Sequence, residues 1–340
     1  MTVQQLPQRR LAARRVLTSV PRPRVHRAPP VFALLLALLG SPVEAYGQYE
    51  NISLPVQTIE RHLRYEEFEV VRITDTRFEG DRTQHAALRF SDGLVMLIKW
   101  AAAPRGGDAF NNRPRFEIAA YEIQKLFLNE EDYVVPPAVA RAIPLERYPA
   151  QYPPEPTFSE TASVLVVAQY WLSEVTSENV YDKARLESDS VYARHLGNLN
   201  ILTYLIRHAD ANKGNFLVST DSGSPRVFAV DNGVAFGDRS DRPDDWRKMR
   251  VDSLPRGTVE RLRGISEEDL HRALGVLVQY EIRDGQLIEV PPTQNLRPNR
   301  GVRREDGLIQ LGLTAGEIRA VYRRLEDLLE EIDSGKIETF

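Results

Sequence analysis

Between Arg207 and Phe236 the chain reads RHADANKGNFLVSTDSGSPRVFAVDNGVAF. Two polar clusters, Asp210–Asn215 and Asp231-Asn232-Gly233, border the apolar runs Phe216-Leu217-Val218 and Val227-Phe228-Ala229-Val230. Short apolar runs bounded by turn residues read as buried strands. Any fold of this chain must therefore place carboxylates and amides at the mouths of two neighbouring buried strands. Taken singly, D-x-x-x-x-N is a common loop pattern and Asp-Asn-Gly a plain turn.

The length of 340 residues allows a large core and two lobes. There is no cysteine, which excludes disulfides, thiolate metal sites and a cysteine nucleophile. Seven arginines and no acid precede Pro30. They are followed by Val31-Phe32-Ala33-Leu34-Leu35-Leu36-Ala37-Leu38-Leu39 and by the small-x-small site Val43-Glu44-Ala45. This is a signal-peptide pattern over 1–45, with an apolar run too short for a membrane span. Export to the periplasm or outside the cell is the expectation; a misassigned start would make the protein cytoplasmic. Residues 46–340 retain 37 basic against 47 acidic side chains, a balance near −10. That balance argues against a nucleic-acid partner and against a general anionic-membrane partner.

Residues 46–64 read as a loose lead-in. Strands are expected at Phe68–Ile73, Ala86–Phe90 and Leu94–Trp100, the last two joined by the turn Ser91-Asp92-Gly93. A helix follows from Phe116 to Phe127, a proline-rich connection covers 144–158, and Val164–Trp171 reads as a buried strand. Residues 174–208, 266–280 and 314–332 read as mainly helical, with Ser266 and Thr314 as N-caps. The expected division is 1–45 signal peptide, 46–163 N-lobe with lead-in, and 164–340 hinge and helical C-lobe.

Phosphoryl transfer asks a protein mainly for positioning and charge neutralisation. A carboxylate orients the attacking hydroxyl, and oxygen ligands hold Mg²⁺ or Mn²⁺. A lysine reaches the phosphates that stay behind, and a glutamate holds that lysine. Asp210-Ala211-Asn212-Lys213-Gly214-Asn215 has the D-x-x-x-x-N spacing of kinase-type loops, and Asp231-Asn232-Gly233 follows one strand later. Lys99 ends the third strand. Glu117 opens the next helix, with Glu122 about one turn on as its competitor. His208-Ala209-Asp210 echoes His-Arg-Asp without the arginine, and His208 reads as structural. Each residue alone is more often a rim, cap or turn residue; their joint order is what points to chemistry.

Three segments resemble the secretory-pathway kinases, the Golgi casein kinase and glycosaminoglycan xylosylkinase family. FEIAAYEIQKLFLNEEDYVVPPAVAR resembles that family's Glu-Ile-Ala-Ala-aromatic helix and Val-Pro-Pro segment. TQHAALRFSDGLVMLIKW resembles its Thr-Gln loop, hairpin and lysine strand, and AVDNGVAFG its metal segment. The Asp-Asn-Gly-x-Ala-Phe form is equally similar to type II phosphatidylinositol 4-kinases and HipA-like kinases. The resemblance spans about 68–240. It implies an α+β, bilobal protein-kinase-like fold: a β-rich N-lobe with one main helix and a mainly helical C-lobe. It implies ATP with Mg²⁺ or Mn²⁺. Asp210 would be catalytic; Lys99, Glu117, Gln84 and Lys213 would serve the nucleotide; Asp231 and Asn215 would hold metal. The phosphate-covering loop would be Glu79–Gln84, and the adenine would lie near Ala168–Trp171. The family places an acidic residue where Asn215 stands and is cysteine-rich, unlike this chain.

The expected function is an ATP-dependent phosphotransferase acting on a hydroxyl of a protein serine or threonine, a glycan or a small molecule. Two other readings stay open: a pseudokinase that binds nucleotide or a partner, and a cytoplasmic HipA-like or lipid-kinase-like enzyme.

Overall fold

A computed structural model describes residues 51–76, 82–109, 112–149, 155–221, 223–237 and 249–340. The expected signal peptide over 1–45 and residues 79–81 of the expected phosphate-covering loop lie outside the described residues.

Helix α1 (Val56–Tyr65) occupies part of the segment expected to be a loose lead-in. Its Ile59 and Leu63 are spaced to present one apolar face, and both are buried. Strands β1 (Phe68–Ile73), β2 (Thr83–Phe90) and β3 (Val95–Ala102) follow. Gly93 at φ +87° allows the β2–β3 turn, and Asp92 Oδ1 accepts from the Leu94 N–H at 3.0 Å. Helix α2 (Pro114–Gln124) starts on proline, whose ring suits a first helical position, and ten of its eleven residues are buried. Strand β4 (Ala138–Pro144), absent from the sequence reading, pairs with β5 (Ser163–Tyr170). The five strands form one antiparallel sheet in the order β1-β2-β3-β5-β4.

Every residue of β5 is buried, because the sheet is covered on both faces. Val164, Val166 and Ala168 belong to one apolar cluster, shared with Trp100 and α1. Leu165 belongs to the other, which contains α2. That second cluster continues through α4 (Ser190–Leu205), which follows the short strand β6 (Val175–Thr176) and the short helix α3 (Lys183–Ser188). Asp189 caps α4 by accepting from the Val191 and Tyr192 N–H groups. Strands β7 (Phe216–Ser219) and β8 (Val227–Ala229) are the two apolar runs of the opening stretch. They pair antiparallel and join β6 in a three-stranded sheet.

The remainder carries β9 (Ser253–Leu254), α5 (Arg256–Leu262) and α6 (Glu267–Leu274). Four strands follow: β10 (Val278–Arg283), β11 (Gln286–Val290), β12 (Val302–Glu305) and β13 (Leu308–Leu311). Helix α7 (Ala315–Asp333) and β14 (Glu338–Thr339) end the chain. Ser266 and Thr314 cap α6 and α7 with full capping boxes. The helix expected over 266–280 stops at Leu274, and 278–311 is a four-stranded antiparallel sheet in the order β11-β10-β13-β12. Its two tight turns place Asp284-Gly285 and Asp306-Gly307 at positive φ, as Asp-Gly hairpins require.

Candidate functional site

Lys99 lies on β3, and its register neighbours are His85 on β2 and Gln169 on β5. Directly opposed residues share a face, so these three line one side of the sheet. Gln84, one residue before His85, pairs with Trp100 and belongs to the other face. Its side chain is buried, and its amide donates to the Thr74 carbonyl at 2.8 Å. Gln84 is therefore not gathered with Lys99, and strand alternation is the reason.

The Lys99 ammonium donates to Glu117 Oε1 at 2.8 Å and to Asp231 Oδ1 at 2.5 Å. Lys99 and Glu117 are buried, whereas 43% of the Asp231 side chain is exposed. Burial disfavours the lysine cation, but the two carboxylates outweigh it and hold the ammonium above its ordinary range. The second oxygen of Glu117 accepts from the Asn232 N–H at 3.0 Å. Glu117 thus joins α2 to both β3 and the Asp231 segment. Glu122 turns elsewhere and accepts from Lys125 at 2.9 Å. Lys99 meets Glu117, and the competition left open by the sequence is decided.

Asp231 has left-handed backbone, φ 57° and ψ 52°. Aspartate tolerates this region better than most residues. Strain of this kind persists where surrounding structure imposes it. Here the imposing contacts flank the residue. The Val230 N–H donates to the Asn215 carbonyl at 2.9 Å, and the Asn232 N–H donates to Glu117.

Asp210 and Asn215 are brought together. The Asn215 amide nitrogen donates to Asp210 Oδ2 at 3.0 Å and to the Asp210 carbonyl at 2.8 Å. Asn212 donates to Asp210 Oδ1 at 2.9 Å and accepts from the Gly214 N–H at 2.9 Å. The loop therefore orients its carboxylate with two amides, and Asn215 keeps its oxygen as an acceptor. The side chain of Lys213 lies outside the described residues. His208 is fully buried, with Nε2 at 3.3 Å from the Val230 carbonyl. Burial pushes it below the ordinary histidine range, against the opposing pull of Glu117, Asp210 and Asp231.

A cavity of about 640 Å³ opens beside Lys99 and Asp231. Its walls include Thr83, His85, Pro136, Gln169, Trp171, Glu174, Gly214 and Leu217. Such a volume suits a nucleotide-sized ligand. The strip Glu174–Ser177, expected to open a mainly helical region, instead carries β6; it reaches the cavity because β6 pairs with β7. The His85 and Trp171 rings lie 3.9 Å apart at the cavity wall. Among the described residues no group of three or more His, Cys, Asp or Glu gathers as a metal cage. The available donors are the Asp231 carboxylate and the Asn215 oxygen. That set fits Mg²⁺ or Mn²⁺ shared with phosphates, which need only one or two protein carboxylates.

No family model matches the sequence, and no curated protein matches it. Among solved structures the chain is similar to the Golgi casein kinase with Mn/ADP bound, at 14% identity and a TM-score of 0.48. That match covers 82% of this chain and 75% of the other. It is similar also to hydra Fam20 with sugar, at 15% identity and a TM-score of 0.49, covering 84% of this chain and 92% of the other. No helix among the described residues is long and apolar enough to cross a membrane.

Proposed function

We propose that this protein is an ATP-dependent phosphotransferase of atypical kinase type, acting on a hydroxyl of a protein serine or threonine, a glycan or a small molecule. The observation that carries the reading is the single ammonium of Lys99 held between Glu117 and Asp231 at the cavity wall. A buried lysine with two carboxylates is costly as a purely structural device. It is useful where a polyanion replaces one of the carboxylates.

In this reading Lys99 meets the phosphates that are not transferred, and Glu117 keeps the ammonium aimed while the phosphates displace Asp231 from it. Asp231 and the Asn215 oxygen would hold Mg²⁺ or Mn²⁺, which would neutralise charge on the phosphates. Asp210 accepts the proton of the attacking hydroxyl, and Asn212 and Asn215 fix its carboxylate. Lys213 is assigned a phosphate contact. Gln84 supports the strand rather than touching the nucleotide. The proposed division keeps 46–163 as an N-lobe and 164–340 as hinge and C-lobe, with β5 of the second segment completing the sheet of the first. Export through residues 1–45 is part of the proposal, and N-terminal sequencing of the mature protein tests it; an intact arginine-rich start would overturn it.

The deciding experiment incubates the protein with γ-labelled ATP and Mn²⁺ or Mg²⁺ over a panel of protein, glycan and small-molecule hydroxyls. Wild type should transfer label, and Asp210→Ala and Asp231→Ala should each lose it by about 100-fold or more. Equal label in all three would overturn the reading. Metal-dependent binding with no transfer would mark a pseudokinase, and label arriving only from the α-position would mark AMP transfer.

A further inference from the structure

The two outer strands of the five-stranded sheet, β1 and β4, line one groove of about 410 Å³. All of β1 borders it, and Arg141–Pro144 of β4 and Arg147 form the other wall. The sheet therefore curves far enough for both of its edges to face one space. An edge strand turns every second N–H and C=O away from its neighbour, and such groups can pair with a further strand. The strand partner of β1 is β2, and that of β4 is β5. The floor of the groove is apolar and incompletely covered. Phe68, Val70 and Ile73 are half-buried against the cluster that contains Trp100. The bulge between Val70 and Arg72 shifts the alternation by one, which puts Ile73 on the apolar side and turns Arg72 outward.

The walls are cationic. Arg72 is exposed and takes part in no ion pair among the described residues. Arg141 donates to the His62 and Leu63 carbonyls and lies over the Phe68 ring. The Arg147 side chain is 45% exposed beside Glu67. The one acid in the lining is Glu69, and Arg89 already meets it. Residues 46–340 are acidic as a whole, so this groove reverses the sign of the protein around it.

We propose that the groove takes an acidic, extended segment of a partner protein, which adds to β1 as a sixth strand. Side chains alternate along a strand, so apolar residues of the partner lie on Phe68, Val70 and Ile73 while the acids between them face Arg72 and Arg147. The length of β1 gives room for about five or six partner residues. The groove and the cavity beside Lys99 share no lining residue, so the inference does not rest on the phosphotransferase reading.

The test is fluorescence anisotropy of the intact protein with three labelled hexapeptides. One is Asp-Val repeated, the second has Lys in place of Asp, and the third is the acidic peptide N-methylated along its backbone. Wild type should bind the acidic peptide about tenfold or more tightly than the lysine peptide. N-methylation should weaken binding by about tenfold or more, because the strand then has no N–H to donate. Arg72→Glu, an exposed site, should weaken the acidic peptide about tenfold and strengthen the lysine peptide. No binding of the acidic peptide up to about 1 mM would overturn the proposal. Equal binding of the N-methylated peptide would overturn it too, since the groove would then read charge alone, as for a nucleic acid or a lipid headgroup. Unchanged affinity in Arg72→Glu would put the peptide elsewhere on the protein and reject the groove. The peptide comparisons use unaltered protein, so they decide the matter even if the variant does not fold.

Discussion

Two buried imidazoles show how burial and charge work at single residues in this protein. His195 on α4 is buried beside Arg226, Arg194 and Asp132. Burial, then the two arginines, push it down to about 3. A histidine held neutral in the fold but free to charge when unfolded stabilises the fold only above its ordinary value of about 6.5. As pH falls below that value the unfolded chain binds the extra proton, and stability drops. Between pH 6 and 4 the loss from His195 alone should be about 2.5 kcal/mol. Asp132, pushed up by burial, acts in the opposite sense, so the useful comparison is with His195→Gln. Urea unfolding of both proteins across that range should show a shallower pH dependence in the variant; identical slopes would refute the assignment. Lys99 behaves differently. Its raised value means its contribution is complete below about 10.4 and is lost only above that, so its contacts should not vary between pH 6 and 9.

At the scale of elements, α2 is the member on which the site depends. Glu117 faces the cavity side, and two residues earlier Arg115 anchors the helix to the C-terminal part. Its guanidinium donates to Asp108 at 2.7 Å and to both oxygens of Glu317 at 2.6 and 3.0 Å, and lies over the Phe116 ring. Glu317 is also the capping-box residue of α7, so one carboxylate closes that helix and fastens α2. Arg115→Met should leave Asp108 and Glu317 without their cation and cost about 3–5 kcal/mol, the range for breaking one partner of a buried pair. Denaturant midpoints measure this. Adding Glu317→Gln should recover part of the loss, and a purely additive double variant would refute the coupling. This anchor was not legible in the sequence, since Arg115 and Glu317 are separated by some two hundred positions. The β10–β13 hairpins left a trace in the sequence, since both Asp-Gly turns stand between alternating apolar and polar residues; the expected helix over 266–280 overlaps only the first residues of β10, and 281–313 carried no expectation. β4 gave a weaker signal, because its apolar residues lie on both faces and show no alternation.

For the whole molecule, residues 45–340 form one unit. The proposed ligand would bridge the five-stranded sheet and the β7–β8 segment within that unit. Binding to the folded state alone adds about 2.7 kcal/mol at one hundred times the dissociation constant. For a unit of this size that is a rise of about 5 °C in Tm. ATP with Mn²⁺ should produce that rise in wild type, and Asp231→Ala should lose most of it while keeping its ligand-free Tm within a few degrees. An equal rise in both proteins would place the ligand elsewhere.

Local order along the chain was enough to single out Lys99, Glu117, Asp210, Asn215 and Asp231 as candidates, because turn chemistry and apolar periodicity act over a few residues and leave a trace in the sequence. It was also enough for the hairpin before Lys99, the helix carrying Glu117 and the two capping boxes. Which glutamate holds the lysine and why Gln84 turns away are settled by register between strands and by packing between distant segments. Those depend on which backbone lies next to which, a property that no short stretch of sequence carries. The opening stretch shows the division. Its two polar clusters are visible as turns, but they are brought together only because Val230 bonds to Asn215 and Asn232 bonds to a glutamate 115 positions away.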